Sequence, residues 1–444
     1  MTKEPITKRT LYQHVYSYLF VCDGYFLLLC HIKNTNMREH TKTFAFIKAM
    51  TIILVSLTSL QSAAQIAKAF DFNIANTDFV DTVKIKIWDG AAVVPVEING
   101  VVRNMLFDTG AQTGFWIGEE EDWMIASGDS VRTVDSQKAS YKKAIHKCPT
   151  IKMGNISIEN YPIIVDNGLS QYTCGIIDGA LAFDLICKKG LSFKFDTKDS
   201  LMIVTDRKGF FAKEEKGHKI LKYDSSRPTF FVNFPFSKIR MLFDSGNVGG
   251  WFDLPQELLD RWGKSDQKMK QKIDEMTLHS DTSVLSRAGI FGATYDTVAY
   301  RILRIPQVEI GDLTFKDLCI STNTAMLKLG TAVMQHASLI IDAPKRRFVL
   351  LPHDGKSEVV VANKITRGLS FRPAEDGDTL GVARAIVKKG LDAYKKGVRS
   401  GDYLISIDGI PITDYCTFRL LEPHDDIMHY VLRSPEGEIK EVDL

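Results

Sequence analysis

Two aspartates stand out as the groups in this sequence able to do chemistry as a pair. Asp108 closes the apolar run Met105-Leu106-Phe107 and is followed by Thr109 and Gly110. Asp244 closes a second Met-Leu-Phe run, 136 residues later, and is followed by Ser245 and Gly246. One carboxylate delivered by an apolar strand to a tight turn is ordinary; two copies suggest paired delivery. Two carboxylates face to face cannot both ionise cheaply, because like charges repel, so the pair shares a proton. The ionised member can take a proton from a water, while the protonated member donates to a carbonyl oxygen. Titration then belongs to the pair and not to either residue. Thr109 and Ser245 can hydrogen-bond across to the opposite loop. Gly110 and Gly246 let backbone approach the carboxylates and offer N–H groups to them.

The elements that must position these residues repeat as well. Val93–Ile98 precedes the first Met-Leu-Phe strand and Phe230–Phe234 the second, and Trp116 and Trp251 follow the two aspartates. Further on, Ile151–Ile156 matches Val308–Leu313, each with a central glycine, and Leu191–Lys198 matches Ala337–Lys345. Such self-similarity marks a duplicated unit. Alternation of period two, broken by Gly, Asn and Asp, predicts a mostly β chain.

Residues 80–352 resemble a two-lobed aspartic peptidase of the pepsin/retropepsin kind. The resemblance rests on Asp108-Thr109-Gly110, on Asp244-Ser245-Gly246, and on a later apolar-apolar-Gly element in each half. That element is Lys328-Leu329-Gly330 in the second half. In the first it is Ala180-Leu181-Ala182, where Ala182 replaces the usual glycine. The resemblance implies two pseudo-symmetric β-barrel lobes, residues 80–206 and 207–352. Asp108 and Asp244 would be catalytic, with Thr109, Gly110, Ser245 and Gly246 supporting their loops. Many relatives carry Ser or Thr after each triplet, where this chain has Ala111 and Asn247. Without a hydroxyl donor beside Asp108 the pair's pKa is depressed less, which predicts a pH optimum milder than strongly acidic. Lysine-rich Val131–Cys148 reads as a hairpin flap over Asp108, and Gly289-Ile290-Phe291-Gly292 as its counterpart from the second half.

A trypsin-like reading of Asp244-Ser245-Gly246 fails, because Phe243 stands where glycine is required and no matching histidine segment exists. No zinc or phosphate-cradling motif is present, so neither a metal nor another cofactor is expected. The net charge of +2 conceals a split. Residues 1–64 carry about +4 and the remainder about −2, which leaves no basic patch for nucleic acid.

Residues 356–444 resemble a bacterial PDZ domain (α+β), on the run Gly397-Val398-Arg399-Ser400-Gly401-Asp402 through Ile407-Asp408-Gly409. Gly368-Leu369-Ser370-Phe371 resembles that family's carboxylate-binding loop, with Ser370 where glycine is usual. The resemblance implies capture of a peptide C-terminus by strand addition, or else a structural brace. The polar stretch from Lys356 to Ile365 reads as a connector.

At the front, Arg38, Lys42 and Lys48 precede an apolar segment, Ala49–Leu60, and then Gln61-Ser62-Ala63-Ala64. This is the pattern of a secretory signal, and residues 1–64 read as an extension plus that signal. The chain would be exported, to the periplasm or cell envelope. Residues 65–85 are either a short propeptide or a first strand. Five cysteines follow the signal: Cys148, Cys174, Cys187, Cys319 and Cys416. An odd number without paired spacing predicts no disulfide framework, Cys174 with Cys187 being the nearest pair. The resulting expectation is a monomeric, exported aspartic endopeptidase acting on an extended peptide or protein substrate. A non-catalytic peptide-binding scaffold that keeps both folds is the alternative.

Overall fold

The short-period alternation produces strands wherever one face is covered. In Thr229–Asn233, Phe230 and Val232 are buried while Phe231 is exposed; Ala91–Ile98, covered on both sides, is buried almost throughout. The computed structural model describes residues 67–444 other than 224–226, 323, 362–366, 376 and 422–426, with 285–288 described by backbone alone. The segment read as a secretory signal, with its expected cleavage site, lies outside the described residues, as does part of the stretch read as a connector. The described residues are mostly β and belong to one compact unit. No helix among them is long and apolar enough to cross a membrane.

The duplication is visible in the pairing. In the first half, Ala91–Ile98 and Val101–Asp108 form a hairpin, and Val101–Asp108 runs parallel to Gly179–Ala182. Gly179–Ala182 pairs antiparallel with Gly114–Ile117. In the second half, Thr229–Asn233 and Lys238–Phe243 form the hairpin. Lys238–Phe243 runs parallel to Lys328–Leu329, which pairs antiparallel with Phe252–Asp253. These arrangements lie in sheets of nine and eight strands among the described residues.

A third sheet joins the halves. Ser192–Asp196 and Ala337–Asp342 pair antiparallel at its centre, flanked by Leu201–Thr205 and Arg347–Pro352. Val80–Lys84 completes one edge, so this part of segment 65–85 is a strand. The phenylalanines of both Met-Leu-Phe runs anchor on this third sheet. Phe107 packs on Phe195 at 4.9 Å between ring centroids, and Phe243 on Phe348 at 5.0 Å. Each buried ring contributes about 1.5–3 kcal/mol of apolar transfer, so the strands that carry the aspartates are fixed from behind.

The C-terminal residues form a separate sheet, ordered Leu369–Pro373, Ala383–Val387, Tyr403–Ile407, His429–Arg433 and Ile439–Asp443. It has its own apolar core around Ala385, Leu404 and Leu432. Glu358–Val360, within the connector, pairs instead with Leu313–Ser321 of the second half.

The cysteine expectation is overturned. Cys174 is bonded to Cys416, and Cys148, Cys187 and Cys319 are free. The partners are 242 residues apart, so sequence proximity favoured the wrong pair. The bond joins the short helix Ser170–Thr173, which ends at Cys174, to the helix Tyr415–Leu420 of the C-terminal sheet.

Candidate active site

Each aspartate loop begins where its strand leaves the sheet, and the loops are tied to one another by reciprocal bonds. The Thr109 N–H donates to Ser245 Oγ at 2.9 Å, and the Ser245 N–H to Thr109 Oγ1 at 3.0 Å. Thr109 Oγ1 donates to the Phe243 carbonyl at 2.7 Å, and Ser245 Oγ to the Phe107 carbonyl. Thr109 and Ser245 are buried, at 1 % and 5 % exposure. With water excluded, an unmade bond in this set costs the desolvation of its group, so the lock holds the loops in one register.

The glycines have no room for a side chain. A Cβ on Gly110 would lie 2.3 Å from Asp244 Oδ1, and one on Gly246 would lie 2.6 Å from Asp108 Oδ2. Each loop backbone therefore abuts the opposite carboxyl. The Gly110 N–H donates to Asp108 Oδ1 at 2.8 Å, and the Ala111 N–H to the same oxygen at 3.2 Å. The Gly246 N–H donates to Asp244 Oδ1 at 3.1 Å. Burial pushes the Asp108 carboxyl up to about 7; the charge of Asp244 adds to this, against the two N–H donors. Asp108 thus keeps its proton in mildly acidic solution. Ala182, in register with Asp108, is fully buried, and its N–H donates to the Tyr161 hydroxyl at 2.9 Å.

Sequence reasoning missed the charge of Lys328 and missed Asp253, and read Asn247 only as the lack of a hydroxyl. Lys328, quoted only as part of an apolar-apolar-Gly element, places its ammonium 3.1 Å from Asp244 Oδ2 and 4.0 Å from Asp253 Oδ2. Its side chain is 9 % exposed. Burial opposes its charge, but the carboxylates, Asp244 foremost, outweigh that and raise its pKa. Burial pushes Asp253 up to about 7, although Lys328 pulls the other way. The Asn247 amide, one residue past the second triplet, donates to Asp253 Oδ2 at 3.1 Å. The available signal was a lysine where the apolar-apolar-Gly pattern calls for an apolar residue.

The two candidate flaps are long hairpins, Ile125–Val134 with Ser140–Met153, and Thr277–Gly289 with Gly292–Ile310. Their tips meet. Tyr141 and Phe291 stack edge to face at 4.8 Å, and a Cβ on Gly289 would collide with the Asp135 carboxylate. Val131 and Ile290, with Val248 from the second aspartate loop, pack on the apolar cluster that holds Leu106, two residues before Asp108.

Gly368, Leu369, Ser370 and Phe371 lie far along the chain from this site, at the start of the edge strand of the C-terminal sheet. Gly368 has φ +65°, and a Cβ there would strike Leu391. Ser370 Oγ donates to the Ile386 carbonyl at 3.5 Å. Phe371 packs on Phe418 at 5.0 Å, and the Tyr415 hydroxyl donates to the Phe371 carbonyl at 3.4 Å.

Among the described residues, no group of three or more His, Cys, Asp or Glu is placed to hold a metal ion. No family model matches the chain, and no curated protein matches it in sequence.

Proposed function

We propose that the chain is an exported aspartic endopeptidase with two retropepsin-like lobes, residues 80–206 and 207–352, and a PDZ domain over 356–444. The observation that carries this reading is the reciprocal Thr109–Ser245 lock, which sets Asp108 and Asp244 against each other's loops. A water between the carboxyls would lose a proton to the ionised one as its oxygen attacks the peptide carbonyl carbon. The protonated carboxyl gives its proton to the carbonyl oxygen. Proton transfer to the amide nitrogen then lets the C–N bond break, and no metal or covalent intermediate is needed. Both halves lie in one chain, so a monomer would complete the site. The meeting hairpins supply a cover that must open for an extended peptide.

The Cys174–Cys416 bond supports an oxidising compartment and therefore export. The edge strand Leu369–Pro373 and the adjacent helix Tyr415–Leu420 support docking of a peptide C-terminus. A peptide there would have to displace the Tyr415 hydroxyl from the Phe371 carbonyl.

The non-catalytic alternative is favoured by one feature, the ammonium of Lys328 on Asp244. Incubation with a mixed peptide library, alone and with a statine-type transition-state mimic, separates the two readings. Cleavage that the mimic blocks and Asp108→Asn abolishes is the expected result. Binding without cleavage, unaffected by that substitution, would leave the scaffold reading.

A further inference from the structure

The two halves share one strand register up to the phenylalanine before each aspartate, and the register shows where they differ. In the first half Leu106 lies beside Ala180, which faces Phe115 across the next strand. In the second half the equivalent Leu242 lies beside Lys328, which faces Asp253. A lysine–aspartate pair thus occupies the place of an alanine–phenylalanine pair whose two members are both buried. Fold alone does not require ions there, because the first half makes the same three-strand arrangement without them.

The cation reaches only one member of the dyad. Asp244 Oδ2 receives the Lys328 ammonium at 3.1 Å, whereas Asp108 is held by the N–H groups of Gly110 and Ala111 on Oδ1. The titratable groups facing Lys328 from neighbouring strands and loops are Asp244, Asp253 and, more distantly, Asp108. An ammonium so nearly removed from water interacts strongly with the carboxylate it touches. Resting on the aspartic peptidase reading, we propose that Lys328 is a positioning residue that localises the dyad's negative charge on Asp244. Asp244 is then the general base and Asp108 the general acid, and the pseudo-symmetric pair works in one direction. Asp253 is the second carboxylate facing the ammonium, and Asn247 orients it. The substitution of Lys for an apolar residue takes over the charge stabilisation that a hydroxyl after each triplet would otherwise provide.

The test uses the full chain and two neutral variants, Lys328→Met and Lys328→Gln, with Lys328→Arg restoring the charge. Folding is checked by near-UV circular dichroism. Proton uptake by the dyad is followed by carbon-13 NMR of aspartate carboxyls, and kcat/KM on a quenched peptide is followed against pH. In either neutral variant the dyad should take up its second proton roughly one to three pH units higher than in the parent. The acid limb of kcat/KM should move up with it, and Lys328→Arg should reverse most of the shift. Folded neutral variants that titrate like the parent would overturn the proposal. If the parent cleaves no peptide but the carboxyl titration still moves, the peptidase reading falls while the effect of Lys328 on the pair stands.

Discussion

A single proton decides what Asp108 does. With burial pushing its carboxyl up to about 7, Asp108 keeps its proton below that value and loses it above, so on the proposed peptidase reading it would serve as an acid only below it. The base limb of kcat/KM is therefore expected to fall as pH rises through neutrality, and a rate maximum below about pH 3.5, under the unperturbed carboxyl value, would contradict it. Asp108→Asn is expected to lower kcat by about 10²–10⁴-fold, the usual worth of a general acid or base. The same burial affects stability. Asp108 and Asp253 both have folded values raised to about 7, well above the ordinary carboxyl value. Their contribution is fully present below the unfolded value, near pH 4, and is lost as pH rises through the folded one. Melting temperature should accordingly fall between about pH 4 and pH 7 in a calorimetric series, and Asp253→Asn should flatten that slope.

At the scale of elements, the lock between the loops acts as one unit. Thr109→Val and Ser245→Ala each leave buried partners unmet, at about 1–3 kcal/mol apiece. Once either hydroxyl is gone the other has lost its partner loop, so the double variant should cost less than the sum of the singles. A double-mutant cycle by urea unfolding measures this, and strict additivity would show that the loops are independent. The hairpin tips form a second unit. Phe291→Ala removes the Tyr141 contact at the tip without touching the aspartates. It should raise KM for an extended peptide more than it lowers kcat, which steady-state kinetics would detect.

Across the whole molecule, the C-terminal sheet is bound to both halves. Cys174–Cys416 ties it to the first. The second hairpin contacts it as well, with Ser283 Oγ donating to the Val387 carbonyl at 3.0 Å. Tyr172, beside the disulfide, shares a hydrogen bond of 2.9 Å with Tyr295 of that hairpin. Closing so long a loop restricts the unfolded chain, so Cys174→Ser with Cys416→Ser should lose about 2–5 kcal/mol. The loss should be reproduced by reducing the parent protein before thermal unfolding. Because the sheet contacts the hairpin, the disulfide-free form should also change KM; equal KM in the two forms would show that the sheet and the hairpin move independently.

Local pattern alone determined the strand-rich character and the duplication, and singled out Asp108 and Asp244 as a candidate pair, because alternation, glycine turns and a repeated Met-Leu-Phe-Asp run are written in neighbouring residues. The contacts of Thr109, Gly110, Ser245 and Gly246 with the opposite loop were legible for the same reason, since a duplicated triplet implies a partner loop. Lys328 was not legible, since the meaning of a lysine on a short strand depends on which carboxylate lies beside it, and that neighbour is distant in sequence. The Cys174–Cys416 bond escaped for a similar reason: an odd set of unpatterned cysteines carries no information about which two the packing of the C-terminal sheet brings within bonding distance. Period and turn chemistry act over a few residues, whereas the charge balance of the dyad and the cross-link between distant helices exist only after the sheets have closed.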